Sequence, residues 1–243
     1  MTGEFAGAAE FYERFRPAYP SVLLDHLRAL VKPGGSMVDL AAGTGQIARP
    51  LCDHFASVRA VDAEPDMVAL GRERSNGTGI AWELGRAEDV EVADGSVDLV
   101  TIGNAFHRVD QPLVAANVRR WLAPGGWFAV LNTAAGWNGR RGWQDAARDV
   151  IYRWVPQPPA PTGPGQEAYV RGAGFVDVVE HRYHEERTWT VDAFVGYLYS
   201  TAVVSPVRRD GRAAAFEADL RAALAGQELT EELTFLLLLG RRP

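Results

Sequence analysis

Two hydrophobic patterns alternate along the first half of the chain. Short, near-continuous apolar runs, such as residues 97–102, are followed by longer stretches with apolar residues at helical spacing, such as residues 112–122. The first pattern is typical of a strand buried on both faces, and the second is typical of an amphipathic helix. Repeated strand–helix units therefore predict an α/β fold whose parallel sheet is covered by helices on both faces.

This pattern, together with turn and capping signals, predicts the following elements. Strands are expected at residues 36–41, 58–62, 80–84, 97–102, 127–131, 175–179 and 233–239. Helices are expected at residues 5–16, 21–31, 47–55, 66–74, 112–122, 142–154, 191–204 and 208–225, with Ser21 as a cap and Gly196 as a weak point. Right-handed crossovers make such a sheet doubly wound, with its ligand at the carboxyl ends of the strands.

The regular alternation of strand and helix patterns ends after the fifth predicted strand. Residues 137–154 are rich in aromatic side chains, and residues 156–165 contain five prolines, which predict an extended loop. No stretch has the composition of a linker between domains. We therefore predict one domain over residues 1–243, with a small substrate cap at residues 133–166 inserted after the fifth strand.

Composition narrows the classes of partner. The net charge is −6 and the pI about 5.4, so the chain lacks the basic excess expected of a nucleic-acid-binding protein. No apolar run is long enough for a membrane span, and the first residues do not follow signal-peptide order, so we expect a soluble cytoplasmic protein. The single cysteine excludes a cysteine-based zinc site, and His181 and His184 would point to opposite faces if the strand 175–179 continues through them, so we expect no metal.

The most informative stretch is residues 38–48, VDLAAGTGQIA. A strand that breaks at Gly43 and Gly45 and restarts as a helix leaves backbone N–H groups free and side-chain bulk low, so a ligand can lie against the main chain. Gly43-x-Gly45-x-x-Ala48 fits the loose dinucleotide fingerprint. Asp62, 19 residues after Gly43, ends the second strand and can accept hydrogen bonds from ribose hydroxyls, which predicts an adenosine-type nucleotide.

Two further features bear on which nucleotide binds. Asp39 stands four residues before Gly43, where a carboxylate would repel a pyrophosphate but would suit a ligand that carries an amino group. Past the third strand, residues 85–89 (GRAED) offer an acid and backbone amides to the edge of an adenine. These features favour a ligand with an amino-acid tail over a dinucleotide.

The motifs VDLAAGTGQIA, VRAVDAEPDM, GRAEDV, DGSVDLVTIGNAFH and LAPGG, in this order and spacing, resemble those of class I S-adenosylmethionine-dependent methyltransferases. The resemblance runs from about Tyr12 to Leu131. Residues 12–20, YERFRPAYP, and Ala105-Phe106-His107 resemble a subgroup that acts on small molecules. The resemblance implies a Rossmann-like, doubly wound sheet of seven mostly parallel strands, the last of them antiparallel.

The resemblance also implies a cofactor site. Gly43 and Gly45 would face the methionine part of S-adenosylmethionine, next to Ala41, where the family often has glycine. Asp39 would lie near the amino group, directly or through water, and Asp62 would bind the ribose hydroxyls. The remaining expected contacts are Ala63 and Met67 beside the adenine, Ala87 and Glu88 at its exocyclic amine, Asn104 near the methionine moiety, and Tyr12 and Arg16 closing over the cofactor.

His107 is the catalytic candidate on the acceptor side. It follows the carboxyl end of a strand, and a histidine can take a proton near neutral pH, so a general-base role and a purely structural hydrogen bond are both open. Arg108 stands where the subgroup usually has tryptophan, which bears on the acceptor class. Tyr19, Trp137 and Asn138 are the candidate acceptor contacts.

We therefore expect transfer of a methyl group from S-adenosylmethionine to an oxygen or nitrogen of a small molecule, with S-adenosylhomocysteine as the product. The composition favours an acceptor from secondary metabolism, such as an antibiotic precursor or an amino sugar, and the acidic balance suits a cationic one. The alternatives are an NADP(H)-dependent reductase that uses the same glycine loop and a non-catalytic nucleotide-binding or partner-binding module.

Overall fold

A computed structural model describes residues 3–134, 136–157 and 163–243. The strands are β1 (Ser36–Leu40), β2 (Ser57–Asp62), β3 (Ala81–Leu84), β4 (Val97–Gly103), β5 (Leu122–Thr133), β6 (Val176–Trp189) and β7 (Leu229–Arg241). The helices are α1 (Ala9–Phe15), α2 (Ser21–Leu30), α3 (Ala48–Leu51), α4 (Pro65–Arg74), α5 (Gln111–Trp121), α6 (Gly142–Trp154), α7 (Gln166–Gly172), α8 (Val191–Tyr199), α9 (Ser205–Arg209) and α10 (Ala213–Leu224). Short 3-10 helices occupy Cys52–His54 and Phe106–Arg108. None of the helices in these ranges is long and apolar enough to cross a membrane.

The strands form one seven-stranded sheet in the order β3-β2-β1-β4-β5-β7-β6. Strands β1 to β5 pair in parallel, and β7 pairs with β5 in antiparallel register, with Leu131 opposite Leu237. The chain runs outward from β1 to β3 and then returns to place β4 on the other side of β1. This reversal opens a crevice at the carboxyl ends of β1 and β4, where doubly wound folds bind their ligands. The predicted fold class is confirmed.

A hydrophobic core on one face of the sheet fixes the central strands. Val38 and Leu40 of β1, together with alternate residues of β4 and β5, pack with Val114 and Val118 of α5 and Val170 of α7. The alternate positions of β1 and β4, among them Asp39 and Thr101, point to the opposite face because side chains alternate along a strand. The sheet is thereby a rigid frame for residues at its carboxyl edge.

The described residues divide into two compact units. The larger unit comprises Ala18–Thr133, Gly163–Tyr183 and Phe235–Pro243, and the smaller one comprises the described residues of Met1–Pro17, Ala134–Thr162 and His184–Thr234. The segment predicted as a cap, residues 133–166, contributes α6 to the smaller unit, whose core is rich in tryptophan, tyrosine and phenylalanine from α6, α8 and α10. Residues 158–162 of the predicted proline-rich loop lie outside the described residues.

Several predicted boundaries differ from those of the structure. Turns occupy the residues just after Gly43, with the Gly45 amide donating to the Ala42 carbonyl at 2.9 Å, so α3 begins only at Ala48, and its last turn becomes a 3-10 helix. Ser21 does not cap α2, because Pro20 holds the N-cap position and no side chain closes that end. The predicted helix 208–225 is divided into α9 and α10 near Gly211, whose φ is +69°.

Other differences concern elements that long-range pairing creates. β6 and β7 are far longer than predicted, and α7 was not predicted at all. Residues 123–126, which separate the predicted helix 112–122 from the predicted strand 127–131, lie within β5, where the register with β4 shifts. Gly196 lies within α8, and a Cβ on it would overlap the ring of Phe15, so the glycine lets α1 approach α8 closely.

Candidate active site

The glycine turn follows β1 at the crevice and has an unusual backbone. Gly43 and Gly45 have φ angles of +58° and +90°, and Ala41 has a φ of +49°. L-residues rarely adopt such angles, and Ala41 therefore holds a conformation that a glycine would adopt without strain. This conformation turns backbone groups, rather than side chains, toward the edge of the sheet.

Trp82 of β3 supports the turn from below, and the sequence reasoning did not single it out. A Cβ placed on Gly45 would lie 3.0 Å from the Trp82 ring, and one on Gly71 of α4 would overlap the same ring. The indole N–H donates to the hydroxyl of Ser75 at 2.8 Å. The glycines at 45 and 71 thus serve close packing around one tryptophan, a role that spacing along the chain does not reveal.

Asp62 ends β2 beside the turn, as predicted, and its carboxylate is already oriented by the backbone. Its Oδ2 accepts a hydrogen bond from the Gly43 amide at 2.7 Å, and its Oδ1 accepts one from the Glu64 amide at 2.9 Å. The residue is 8% exposed. Burial raises the pKa of Asp62, hydrogen bonds from the Glu64, Gly43 and Ala63 amides oppose that rise, and the charge of Glu64 adds to it.

Asp39 of β1 lies underneath the turn and is 0% exposed. Thr101 donates its hydroxyl to Oδ1 at 2.7 Å, and the Ala48 amide donates to Oδ2 at 3.2 Å. Burial raises the pKa of Asp39 to about 7, although both hydrogen bonds favour the charged form and only the nearby Asp62 adds to the rise. Direct contact between this carboxyl and a ligand's amino group stays a prediction.

The residues predicted around the adenine cluster near the ends of β2 and β3. Ala87 and Met67 are buried, and Ala63 is half-buried. Glu88 accepts a hydrogen bond from the Asp110 amide at 3.1 Å and lies 3.2 Å from the Arg86 guanidinium. Burial alone would raise the pKa of Glu88, but the backbone hydrogen bonds and Arg86 outweigh it and lower that pKa. Glu88 is therefore a carboxylate, which can accept a hydrogen bond from an amine.

Asn104 ties the ends of β4 and β5 together. Its φ is +53°, its Oδ1 accepts a hydrogen bond from the Thr133 amide at 2.7 Å, and its Nδ2 donates to the Tyr19 hydroxyl at 3.1 Å. Tyr19 fits over Gly103, where a Cβ would lie 2.6 Å from its hydroxyl oxygen. Two predicted site residues, Asn104 and Tyr19, are thus neighbours at the carboxyl edge of the sheet.

His107 lies in the 3-10 helix that follows β4 and is exposed. The pKa of His107 is lowered, first because the surrounding chain displaces part of the water around its ring and second because of the positive charge of Arg108. The imidazole is therefore neutral at pH 7 and can accept a proton. The neighbouring Phe106 is fully buried and anchors this helix in the core.

Four predicted site residues belong to the smaller unit. The Arg16 guanidinium lies over the rings of Tyr12 and Tyr197, at 4.9 and 5.6 Å from their centroids, and its Nη2 donates to the Ser200 carbonyl at 3.2 Å. Trp137 is buried, whereas Asn138 is exposed. Their roles at the cofactor or acceptor stay predictions.

The structure adds polar groups that the sequence reasoning missed. Asn132, near the end of β5, donates to Gln166 of α7 at 2.8 Å, and both side chains are half-buried. In the smaller unit the buried Glu231 accepts hydrogen bonds from the Trp189 indole at 2.5 Å and from Gln144 at 3.1 Å. Such pairs join residues 34 to 87 positions apart, so no local motif signals them. Throughout the described ranges, no group of three His, Cys, Asp or Glu residues is arranged to hold a metal ion.

The sheet is doubly wound, and the glycine turn and Asp62 lie at the crevice where its strand order reverses. These features define a nucleotide-binding protein of the Rossmann-like class. Comparison with known proteins then specifies the class. Residues 38–130 match the model of the methyltransferase domain family. The predicted resemblance to class I S-adenosylmethionine-dependent methyltransferases is thus confirmed over this segment.

Individual relatives agree with this assignment. The chain is 35% identical over 156 residues to an uncharacterized methyltransferase of Mycobacterium tuberculosis, a match that covers 63% of this chain and 60% of the relative. It is 36% identical over 112 residues to a ubiquinone/menaquinone biosynthesis C-methyltransferase of Rubrivivax gelatinosus, covering 45% of this chain and 44% of the relative. The chain therefore spans at most about three-fifths of the length of these two relatives.

A solved structure extends the likeness to nearly the whole fold. A protein from Anaeromyxobacter dehalogenans, assigned as a type II methyltransferase, aligns over 93% of this chain and 97% of its own with a TM-score of 0.60 and 26% identity. The similarity thus includes the regions outside residues 38–130.

Proposed function

We propose that this chain transfers the methyl group of S-adenosylmethionine to an oxygen or nitrogen atom of a small molecule. The observation that carries the proposal is the Asp62 carboxylate, held beside the glycine turn by the Gly43 and Glu64 amides. A carboxylate has about four lone-pair positions, and the amides of Gly43, Glu64 and Ala63 use three of them. The remaining position suits a hydroxyl of a ribose.

The charge around the turn supports this cofactor over a dinucleotide. Asp62 lies beside the turn and accepts a hydrogen bond from the Gly43 amide, whereas Asp39 is buried underneath it with a pKa of about 7. A pyrophosphate approaching the turn would meet the Asp62 carboxylate, a group of like charge, which destabilises binding. A ligand whose methionine part carries an ammonium group gains from the same charge, so the NADP(H) alternative is disfavoured.

Methyl transfer requires little covalent chemistry from the protein, because the sulfonium is already reactive. The acceptor's lone pair attacks the methyl carbon as the carbon–sulfur bond breaks, and S-adenosylhomocysteine leaves as a neutral thioether. Aligning nucleophile, methyl group and sulfur can supply about 7–11 kcal/mol of the barrier. A hydroxyl or ammonium acceptor must also lose a proton, and we assign that proton to the neutral imidazole of His107.

The residues proposed to bind the acceptor are chosen by their place in the chain. Tyr19 lies beside Asn104 at the carboxyl edge, and Trp137 and Asn138 belong to the segment 133–166 that follows β5. We propose that this segment is the substrate cap and that the acceptor is a natural-product intermediate, such as an antibiotic or amino-sugar intermediate. An acidic chain with net charge −6 suits a cationic acceptor.

The experiment is a methyl-transfer assay with trideuteromethyl-labelled S-adenosylmethionine and a panel of phenols, amino sugars and enolisable carbon acids, read by mass spectrometry. The proposal predicts a labelled product among the oxygen or nitrogen acceptors. Labelling of carbon acids alone would contradict the acceptor atom proposed here, and labelling of none, with no cofactor binding, would contradict the activity.

His107→Ala tests the general base in the same assay. For a protonated acceptor, kcat should fall by about 10²–10⁴-fold, the usual contribution of a positioned base, while the affinity for S-adenosylhomocysteine stays within twofold. His184→Ala, a change at an exposed histidine of β6, is the matched control. Unchanged kcat at saturating acceptor would remove His107 from the mechanism.

A further inference from the structure

Thr101 and Asp39 form a hydrogen-bonded pair under the glycine turn. They stand opposite each other in the parallel register of β1 and β4, and both are 0% exposed. The Thr101 hydroxyl donates to Asp39 Oδ1 at 2.7 Å. A buried carboxyl is destabilising unless donors satisfy it, and Thr101 provides the side-chain donor for this one.

The other oxygen of Asp39 holds the far end of the turn. Its Oδ2 accepts a hydrogen bond from the amide of Ala48, the first residue of α3, at 3.2 Å. At the near end, the Gly43 amide is bound by Asp62 at 2.7 Å. The two carboxyls therefore hold both ends of residues 43–48, and Asp39 does so without reaching the solvent.

We propose that Thr101 is a positioning residue of the cofactor site, which orients Asp39 against the Ala48 amide and thereby holds the glycine turn in its binding conformation. The inference rests on the proposed function, because the turn is taken to bind the methionine part of the cofactor. It differs from a direct contact, since the Thr101 hydroxyl acts on the ligand only through Asp39 and the backbone.

The first measurement needs no ligand. Amide hydrogen exchange at Ala48, followed by NMR in the unliganded protein, should be about tenfold faster in Thr101→Val than in the wild type, because the Asp39 carboxyl is no longer held. Thr101→Ser, which keeps the hydroxyl, should restore protection. Equal protection of Ala48 in all three proteins would overturn the proposal whether or not the chain is a methyltransferase.

The second measurement is the affinity for S-adenosylhomocysteine between pH 6 and 8.5 by titration calorimetry. The Thr101 hydrogen bond lowers the pKa of Asp39, so its loss raises that pKa; Asp62 is the other charged group acting on this carboxyl. Thr101→Val should bind about tenfold more weakly at pH 7 and regain affinity only at higher pH than the wild type. Thr101→Ser should follow the wild-type curve.

Thr201→Val is the matched control, because Thr201 is also buried and donates its hydroxyl to the Leu198 carbonyl at 2.7 Å, within the smaller unit. It should bind the ligand as the wild type does. If Thr101→Val and Thr101→Ser are weakened equally, with no shift along the pH axis, the position matters only for packing and the proposal fails. If the wild type itself binds no S-adenosylhomocysteine, the proposed function fails, and the exchange of Ala48 still decides whether Thr101 holds the turn.

Discussion

At the scale of single residues, the acids around the glycine turn are the best-predicted part of the site. The sequence places Asp39 and Asp62 by their spacing from Gly43, and the structure brings both to the turn. Their partners were not predictable in the same way. Thr101 lies 62 residues from Asp39, and the two meet only because β4 pairs with β1.

Burial of Asp39 should make stability depend on pH. Because its pKa is raised from 3.8 to about 7, the folded chain keeps a proton that the unfolded chain releases, so this group's stabilising contribution is present below pH 4 and is lost as pH rises toward 7. Asp39→Asn keeps the shape of the side chain but does not titrate. As the pH rises from 5 to 8, the unfolding free energy of the wild type should therefore fall by on the order of 2–3 kcal/mol more than that of Asp39→Asn.

Urea unfolding at several pH values measures this difference. Asp53→Asn, at an exposed acid of the 3-10 helix after α3, is the control and should follow the wild-type dependence on pH. If the unfolding free energy of Asp39→Asn fell with pH as steeply as that of the wild type, Asp39 would be ionised in the folded protein throughout this range.

At the scale of elements, local patterns predicted the strands and helices of the first 131 residues better than those that follow. α4 and α5 begin and end within one residue of the predicted positions, because a proline in the first turn marks the start of each. β6 and β7 exceed their apolar cores by many residues. Their polar ends are held by pairing within the sheet, and no period in the sequence signals that.

The contact of α1 with α8 gives a prediction at this scale. A methyl group at position 196 would overlap the Phe15 ring, so Gly196→Ala should destabilise the protein by about 1–3 kcal/mol, an overpacking penalty that exceeds the gain in helix propensity. Gly172→Ala in α7 is the matched control, since no atom lies within 4 Å of its Cβ position. It should be neutral or slightly stabilising.

Chemical denaturation compares the two glycine variants. If Gly196→Ala proved as stable as Gly172→Ala, the close approach of Phe15 to α8 would be contradicted.

At the scale of the whole molecule, the sequence predicted the sheet and the nucleotide edge but not the division into two units. Strand order follows from repeated right-handed crossovers, which are a general property of chains. The smaller unit instead gathers residues from three distant segments around one aromatic core, so it exists only through tertiary packing.

The central claim is that the glycine turn and Asp62 bind the adenosine and methionine parts of S-adenosylmethionine. Titration calorimetry with S-adenosylhomocysteine and with NADPH, on the wild type, Asp62→Asn and the control Asp53→Asn, tests it most directly. The account predicts one S-adenosylhomocysteine site in the wild type and in Asp53→Asn, at least about tenfold weaker binding in Asp62→Asn, and no NADPH binding. Tight binding of NADPH alone, or undiminished S-adenosylhomocysteine binding by Asp62→Asn, would contradict it.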